Sequence, residues 1–170
     1  MIEILRNRRS VRNFLNKDIE KEKLDILLEA ALRAPTSRNL NPTNFILVKD
    51  REILKKLSTA KSHGAGFLAN ANIAIAVIGD TQKSDTCIED CSIASIIIQL
   101  TAESLNLGSC WAQIRLRYDN KNCLAEDNAR KILNIPSHFL VESIIGIGYP
   151  ANKPKPIKYE DLDQSRIIYK

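Results

Sequence analysis

Aromatic side chains make up only 5% of the 170 residues, and one tryptophan, four tyrosines and four phenylalanines leave little material for stacking nucleobases. No apolar run outlasts Ile73–Ile78, far short of the roughly 20 residues that a membrane-crossing helix needs. Repeats, low-complexity tracts and long blocks of like charge are missing as well, which argues against a disordered chain. The six glycines form no phosphate-binding P-loop. Gly146-Ile147-Gly148 lacks the third glycine of a dinucleotide fingerprint, so a standard dinucleotide fold is not expected. The opening residues, Met1 to Ser10, turn basic where a secretion signal turns apolar. The four cysteines, Cys87, Cys91, Cys110 and Cys123, are therefore expected as reduced thiols in a cytoplasmic protein. Cys87 and Cys91 could share a helical face, but a zinc site needs about four ligands and no second pair stands at a recognisable spacing, so no metal is expected.

Hydrophobic residues at 44% and charged residues at 26% suit one folded domain over residues 1–170, burying roughly 70% of the unfolded surface. The net charge of +5 is concentrated at the two ends. Arg6, Arg8, Arg9 and Arg12 crowd the start, and Lys153, Lys155 and Lys158 crowd the last fifth. Two such clusters can converge on one anionic partner, whether nucleic acid, a membrane surface or a phosphorylated small molecule. Only Phe14 accompanies the arginines, which weakens the nucleic-acid reading.

Periodicity predicts an amphipathic helix over 21–33, with Leu24, Leu27, Leu28, Ala31 and Leu32 on one stripe and Pro35 as the stop. A strand over 44–49 and a charged helical stretch over 51–61 follow. The uniformly apolar run 73–79 predicts a strand buried on both faces, and 89–106 a central buried helix. Strands over 109–114 and 141–148 and a helix over 123–134 complete a three-layer α+β or α/β pattern. The tail after Tyr149 has no apolar face of its own before Ile167, and such arms are commonly stable only against another surface.

Three stretches have the composition of a binding site. Arg8-Arg9-Ser10-Val11-Arg12 offers planar guanidinium forks and a hydroxyl, the donors that cage a phosphate, although the same residues also make an ordinary solvated turn. The loop Ala34 to Pro42 carries Thr36, Ser37, Asn39 and Asn41 between two prolines, as a rigid recognition loop or a plain turn would. Gly108, at the end of the central helix, suits a helix C-cap, and the only tryptophan, Trp111, follows as a core residue or the wall of a cleft.

Taken in order, Arg-Arg-Ser-Val-Arg, Ala-Pro-Thr-Ser-Arg-Asn-Leu-Asn-Pro, Gly-Ser-Cys-Trp and Gly-Ile-Gly-Tyr-Pro resemble the FMN-dependent nitroreductase family over almost the whole chain. The resemblance implies an α+β three-layer sandwich with a central mixed sheet flanked by helices. It implies a homodimer with exchanged terminal segments, residues 150–170 forming an arm on the partner, and FMN at each of two subunit interfaces. NADH or NADPH would reduce the flavin and a small acceptor such as a nitroaromatic or quinone would reoxidise it, with no nucleic acid or membrane involved. Carried over by position, Arg8, Arg9, Ser10 and Arg12 would contact FMN, with Arg12 at the pyrimidine edge. Pro35, Thr36, Ser37 and Asn39 would be the loop lent by the other subunit. Trp111, Ala112 and Gln113 would run beside the reactive edge, and Lys155 and Lys158 would meet the phosphate. The flavin carries the chemistry, so no catalytic side chain is expected. Gln113 stands where many relatives have a small residue and the chain is short for the family, which leaves open a flavin-binding module with little or no turnover.

Overall fold

The computed structural model describes residues 1–170 and contains four strands and five α-helices. In chain order these are α1 (Ile2–Asn7), α2 (Lys21–Leu32), β1 (Thr43–Val48), α3 (Arg51–Leu57), β2 (Ile73–Asp80), α4 (Cys87–Ser104), β3 (Gly108–Gln113), α5 (Ala125–Leu133) and β4 (Phe139–Gly148). The strands form one sheet in the order β1-β2-β4-β3. Every neighbouring pair is antiparallel. The α+β class and the flanking helices therefore hold, but the central sheet is antiparallel rather than mixed. The parallel element is a single bridge, Ser10 to Ser109, where the N-terminal segment lies along β3.

Two cores sandwich the sheet. Ala74, Ala76 and Ile78 of β2 point to the layer of α3 and α5, meeting Leu54, Leu57 and Ala129. Ile73, Ile75 and Val77 point the other way, onto Leu24 and Leu27 of α2 and Ala94 and Ile98 of α4. All eight residues of β2 are buried, as an unbroken apolar run requires of a strand covered on both faces. Leu32, the last residue of α2, departs from its expected stripe and is 77% exposed.

The central helix is buried on one face only. Ala94, Ser95, Ile98, Gln99 and Ala102 pack inward, whereas Ile93 and Ile96 are 40% and 37% exposed. With the half-buried Ile97 and Leu100 they make a stripe at helical spacing that faces outward. Asn106, in the left-handed region at φ 58°, ends this helix, and the Leu107 amide closes back onto the Ala102 carbonyl. Gly108 is thus not the cap but the first residue of β3.

What Gly108 supplies is room, since a Cβ there would meet Val11 Cγ1 at 2.7 Å. Gly148, its register partner on β4, is equally constrained, because an added Cβ would run into Asn72 Oδ1 and lie 2.9 Å from Phe14 Cδ1. Asn72 in turn donates to the carbonyls of Leu15 (3.0 Å) and Lys17 (2.7 Å), fastening the N-terminal segment over the glycine pair. Gly148→Ala should therefore cost roughly 2–3 kcal/mol by overpacking. Gly66→Ala, with nothing within 4 Å of the new carbon, should stay within about 1 kcal/mol. Urea denaturation of both variants checks the contrast.

Candidate active site

The N-terminal segment leaves α1 at Arg8 in extended conformation and settles against the outer edge of β3, where the Val11 amide donates to the Ser109 carbonyl at 2.9 Å. Farther along it pairs with the chain emerging from β4. Leu15 donates to the Tyr149 carbonyl (2.8 Å) and Ala151 to the Asn13 carbonyl (3.0 Å). This pairing draws the two basic ends together. Arg8 and Arg9 line a groove of about 600 Å³ with Ile157, Lys158 and Tyr159, and the Arg9 guanidinium donates to the Lys155 carbonyl. Ser10 and Arg12 line an adjoining hollow of about 350 Å³ with Asn152 and Lys153. Lys153 is paired with Glu103, but none of Arg8, Arg9, Arg12, Lys155 and Lys158 is in an ion pair. The Lys155 side chain is exposed, so that residue contributes its carbonyl rather than its charge to the contact with Arg9.

Strand alternation fixes what β3 offers on its outer edge. Since the Ser109 carbonyl faces outward to Val11, the N–H groups of Trp111 and Gln113 share that edge, while Ala112 is fully buried. The outward carbonyl of Gln113 accepts from Lys61 Nζ at 2.8 Å. Burial pushes the Lys61 ammonium below the usual lysine pKa, and the nearby Arg117 guanidinium pushes it the same way. Lys61 does not stand out in the sequence because it closes the charged stretch 51–61, where it is one lysine among several, and α3 in fact ends at Leu57.

The side chain of Gln113 turns back under α4 instead of into the outer edge. Its Oε1 accepts from Trp111 Nε1 (2.9 Å), and its Nε2 donates to Glu142 Oε1 (3.1 Å). Cys110 is buried beside Ser10, and desolvation raises its thiol pKa, which disfavours the thiolate a nucleophile needs. No group of three or more His, Cys, Asp or Glu side chains is arranged to hold a metal ion, and no helix is long and apolar enough to cross a membrane.

The loop with Pro35, Thr36, Ser37 and Asn39 is held elsewhere. The Ser37 amide donates to the buried Asp90 carboxylate at 3.0 Å, and Arg38 pairs with Asp85. Thr36 Oγ1 accepts from the Asn41 amide at 3.1 Å, so part of its polar row is used within the loop. Arg38, Asn39 and Asn41 all adopt left-handed φ between 50° and 54°, a conformation that the surrounding contacts must over-determine. The loop leads into β1, at the opposite edge of the sheet from the arginine segment. Four interstrand spacings, roughly 19 Å, separate the two. One chain therefore gathers Arg8, Arg9, Ser10, Arg12, Trp111, Ala112, Gln113, Lys155 and Lys158 along a single edge, and does not bring the Pro35–Asn39 loop to them.

Known proteins with this architecture are numerous. The sequence pattern of the Nitroreductase family matches residues 5–64 and 59–149. An FMN-dependent nitroreductase of Clostridium difficile R20291 superposes with a TM-score of 0.97 at 45% identity, covering 99% of this chain and 98% of that one. A nitroreductase family protein of Clostridium difficile 630 gives a TM-score of 0.83 at 27% identity, with 99% and 96% covered. An Archaeoglobus fulgidus protein, provisionally named an NADH dehydrogenase/NAD(P)H nitroreductase, is 36% identical over 156 residues, which are 89% of this chain and 86% of that one.

Thiol reactivity gives a direct check on the burial around this edge. Of the four free cysteines only Cys123 is exposed, and Cys91 is pushed up to about 12 by desolvation. The native protein should release one equivalent of chromophore rapidly from a disulfide reagent at pH near 8, and the other three only on unfolding.

Proposed function

The chain belongs to the nitroreductase family, and from that premise we propose that it is a homodimeric FMN-dependent oxidoreductase that takes electrons from NADH or NADPH and passes them to small nitroaromatic or quinone acceptors. The observation that carries this reading is the row of uncompensated cations, Arg8, Arg9, Arg12, Lys61 and Lys158, along the outer edge of β3. A donor set made of guanidiniums, ammoniums, a serine hydroxyl and strand-edge amides fits an anionic phosphate attached to an electron-poor ring.

When bound, FMN supplies the hydride chemistry in two alternating half-reactions, reduced by the nicotinamide and reoxidised by the acceptor. The protein's work in this reading is to bind and orient. Arg8, Arg9 and Lys158, around the 600 Å³ groove, hold the phosphate, with Ser10 adding a hydroxyl donor. Arg12 and Lys61 keep positive charge at the pyrimidine side, where electron density accumulates on reduction. Lys61 suits that role because its charge is already partly desolvated, so little water has to leave when an anionic group arrives. The outward N–H groups of Trp111 and Gln113 supply donors beside the reactive edge. Gln113 does not narrow the site, since its side chain is committed to Trp111 and Glu142. That speaks against one of the two motives for a flavin-binding module without turnover, the other being the shortness of the chain for the family.

The partner is needed for two physical reasons. The Pro35–Asn39 loop can reach a cofactor at β3 only from a second copy, given the separation of the two edges. The outward stripe of Ile93, Ile96, Ile97 and Leu100, together with Ile157, Leu162, Ile167 and Ile168 in the exposed arm, supplies apolar surface for that copy to cover.

Purified protein should be yellow and should bleach on anaerobic addition of NADH or NADPH. Arg8→Ala and Arg12→Ala should each weaken FMN binding roughly 10- to 100-fold, the loss expected for one charge-assisted hydrogen bond. Lys49→Ala, at an exposed position away from this edge, should leave it unchanged. Equal FMN affinity in all three variants, measured by equilibrium dialysis, would remove the assignment. The double substitution Ile93→Asp and Ile96→Asp should convert a dimer to a monomer by light scattering and lower flavin retention with it.

A further inference from the structure

The pairing of β2 with β4 carries one irregularity. Val77 faces Ser143 and Ile78 faces Val141, so Glu142 is an extra residue inserted into β4. A bulge of this kind re-aims a side chain, and here it puts a carboxyl in the interior, 4% exposed. The same bulge aims the Glu142 carbonyl at the chain just past β3, where it accepts from the amides of both Ile114 (3.1 Å) and Arg115 (3.2 Å). Glu142 Oε1 accepts from Gln113 Nε2 at 3.1 Å, while Oε2 is buried with no hydrogen-bond partner. Nothing in the proposed flavin chemistry uses this group, and burying a carboxyl costs stability unless it is fully bonded.

We propose that Glu142 is a positioning residue for the flavin edge: its carboxyl clamps the Gln113 side chain against Trp111 and thereby fixes the Gln113 carbonyl that holds Lys61. This rests on the reading of Lys61 as a flavin contact. Gln113 is gripped by Trp111 Nε1 on Oε1, by Glu142 on Nε2 and by Lys61 on the backbone carbonyl, with a longer contact from Nε2 to the Arg115 carbonyl at 3.4 Å. Strand pairing stops after Gln113, and the amides of Ile114 and Arg115 on the Glu142 carbonyl keep the backbone there in place, so removing the side-chain grip loosens the aim of the Gln113 carbonyl without detaching the strand. A carboxyl suits the position because a proton on Oε2 leaves Oε1 free to accept from Gln113. Burial raises the pKa of Glu142, and Glu126 of α5 and Glu89 of α4 raise it further, whereas the Gln113 amide and Arg115, in the turn after β3, oppose them. Glu126 is itself paired with Arg130, which offsets its charge, so burial is the chief cause of the rise.

Trp111, the only tryptophan, is hydrogen-bonded within this network and reports on it without any cofactor. In FMN-free protein, Trp111 fluorescence should show a pH step centred above ~4.3, the ordinary glutamate value, and Glu142→Gln should abolish that step. Glu142→Gln, which keeps an acceptor for Gln113, should bind FMN within about threefold of the parent, whereas Glu142→Leu should weaken binding about tenfold or more. A fluorescence titration identical in parent and Glu142→Gln would overturn the proposal, as would unaltered FMN affinity in Glu142→Leu. Should Glu142→Leu fail to fold, the Glu142→Gln titration decides alone. Failure of the parent to bind FMN at all refutes the flavin assignment instead, and the titration of FMN-free protein is then the test of the clamp.

Discussion

Two facing glycines, Gly108 on β3 and Gly148 on β4, are the constraint on which the rest of the molecule depends. With no side chain at either, residues 11–17 lie directly on the sheet, Val11 over the first glycine and Phe14 over the second, with Asn72 tying the segment down. Every basic group of the N-terminus inherits its position from that contact. The carboxyl end follows, because its first residues after β4 pair with Asn13 and Leu15. Convergence of the two charged ends is thus a consequence of backbone packing, with the Arg9 guanidinium on the Lys155 carbonyl as the one attractive contact between clusters whose charges repel.

That repulsion is left uncompensated on purpose, in the physical sense that no carboxylate stands within pairing distance of Arg8, Arg9, Arg12 or Lys61, although acids pair with many lysines and arginines elsewhere on the surface. A fold with stability as its sole constraint would neutralise such a row. Holding it open keeps the local potential positive, which draws an anion from bulk solvent. The proposed cofactor site and the strain in the left-handed loop belong to the same pattern, in which order stored in the apo protein lowers the cost of binding.

Much of the fold was legible in the sequence because its signals are local. The unbroken apolar run of β2, the stripe on α2 and the Pro35 stop each say what they become. The single-sided burial of α4 was not legible, since Ile93, Ile96, Ile97 and Leu100 read as core in any window and only the assembled layers leave them outside. Antiparallel pairing was likewise invisible, because strand direction is set by the crossovers and not by the residues within a strand. For the site, Arg8, Arg9 and Arg12 stood out as a charge cluster, whereas Lys61 and Glu142 did not. Each acquires its character only from tertiary burial: one from desolvation beside β3, the other from a bulge of one residue that no periodicity announces.

The opposite-edge placement of the Pro35–Asn39 loop and the arginine segment has a kinetic corollary. A small molecule touching both must bridge two polypeptides, so the number of complete sites counts encounters between chains and not chains themselves. Occupancy then falls faster than linearly on dilution, and a polypeptide damaged in one half can still complete a site by lending its sound half to a neighbour.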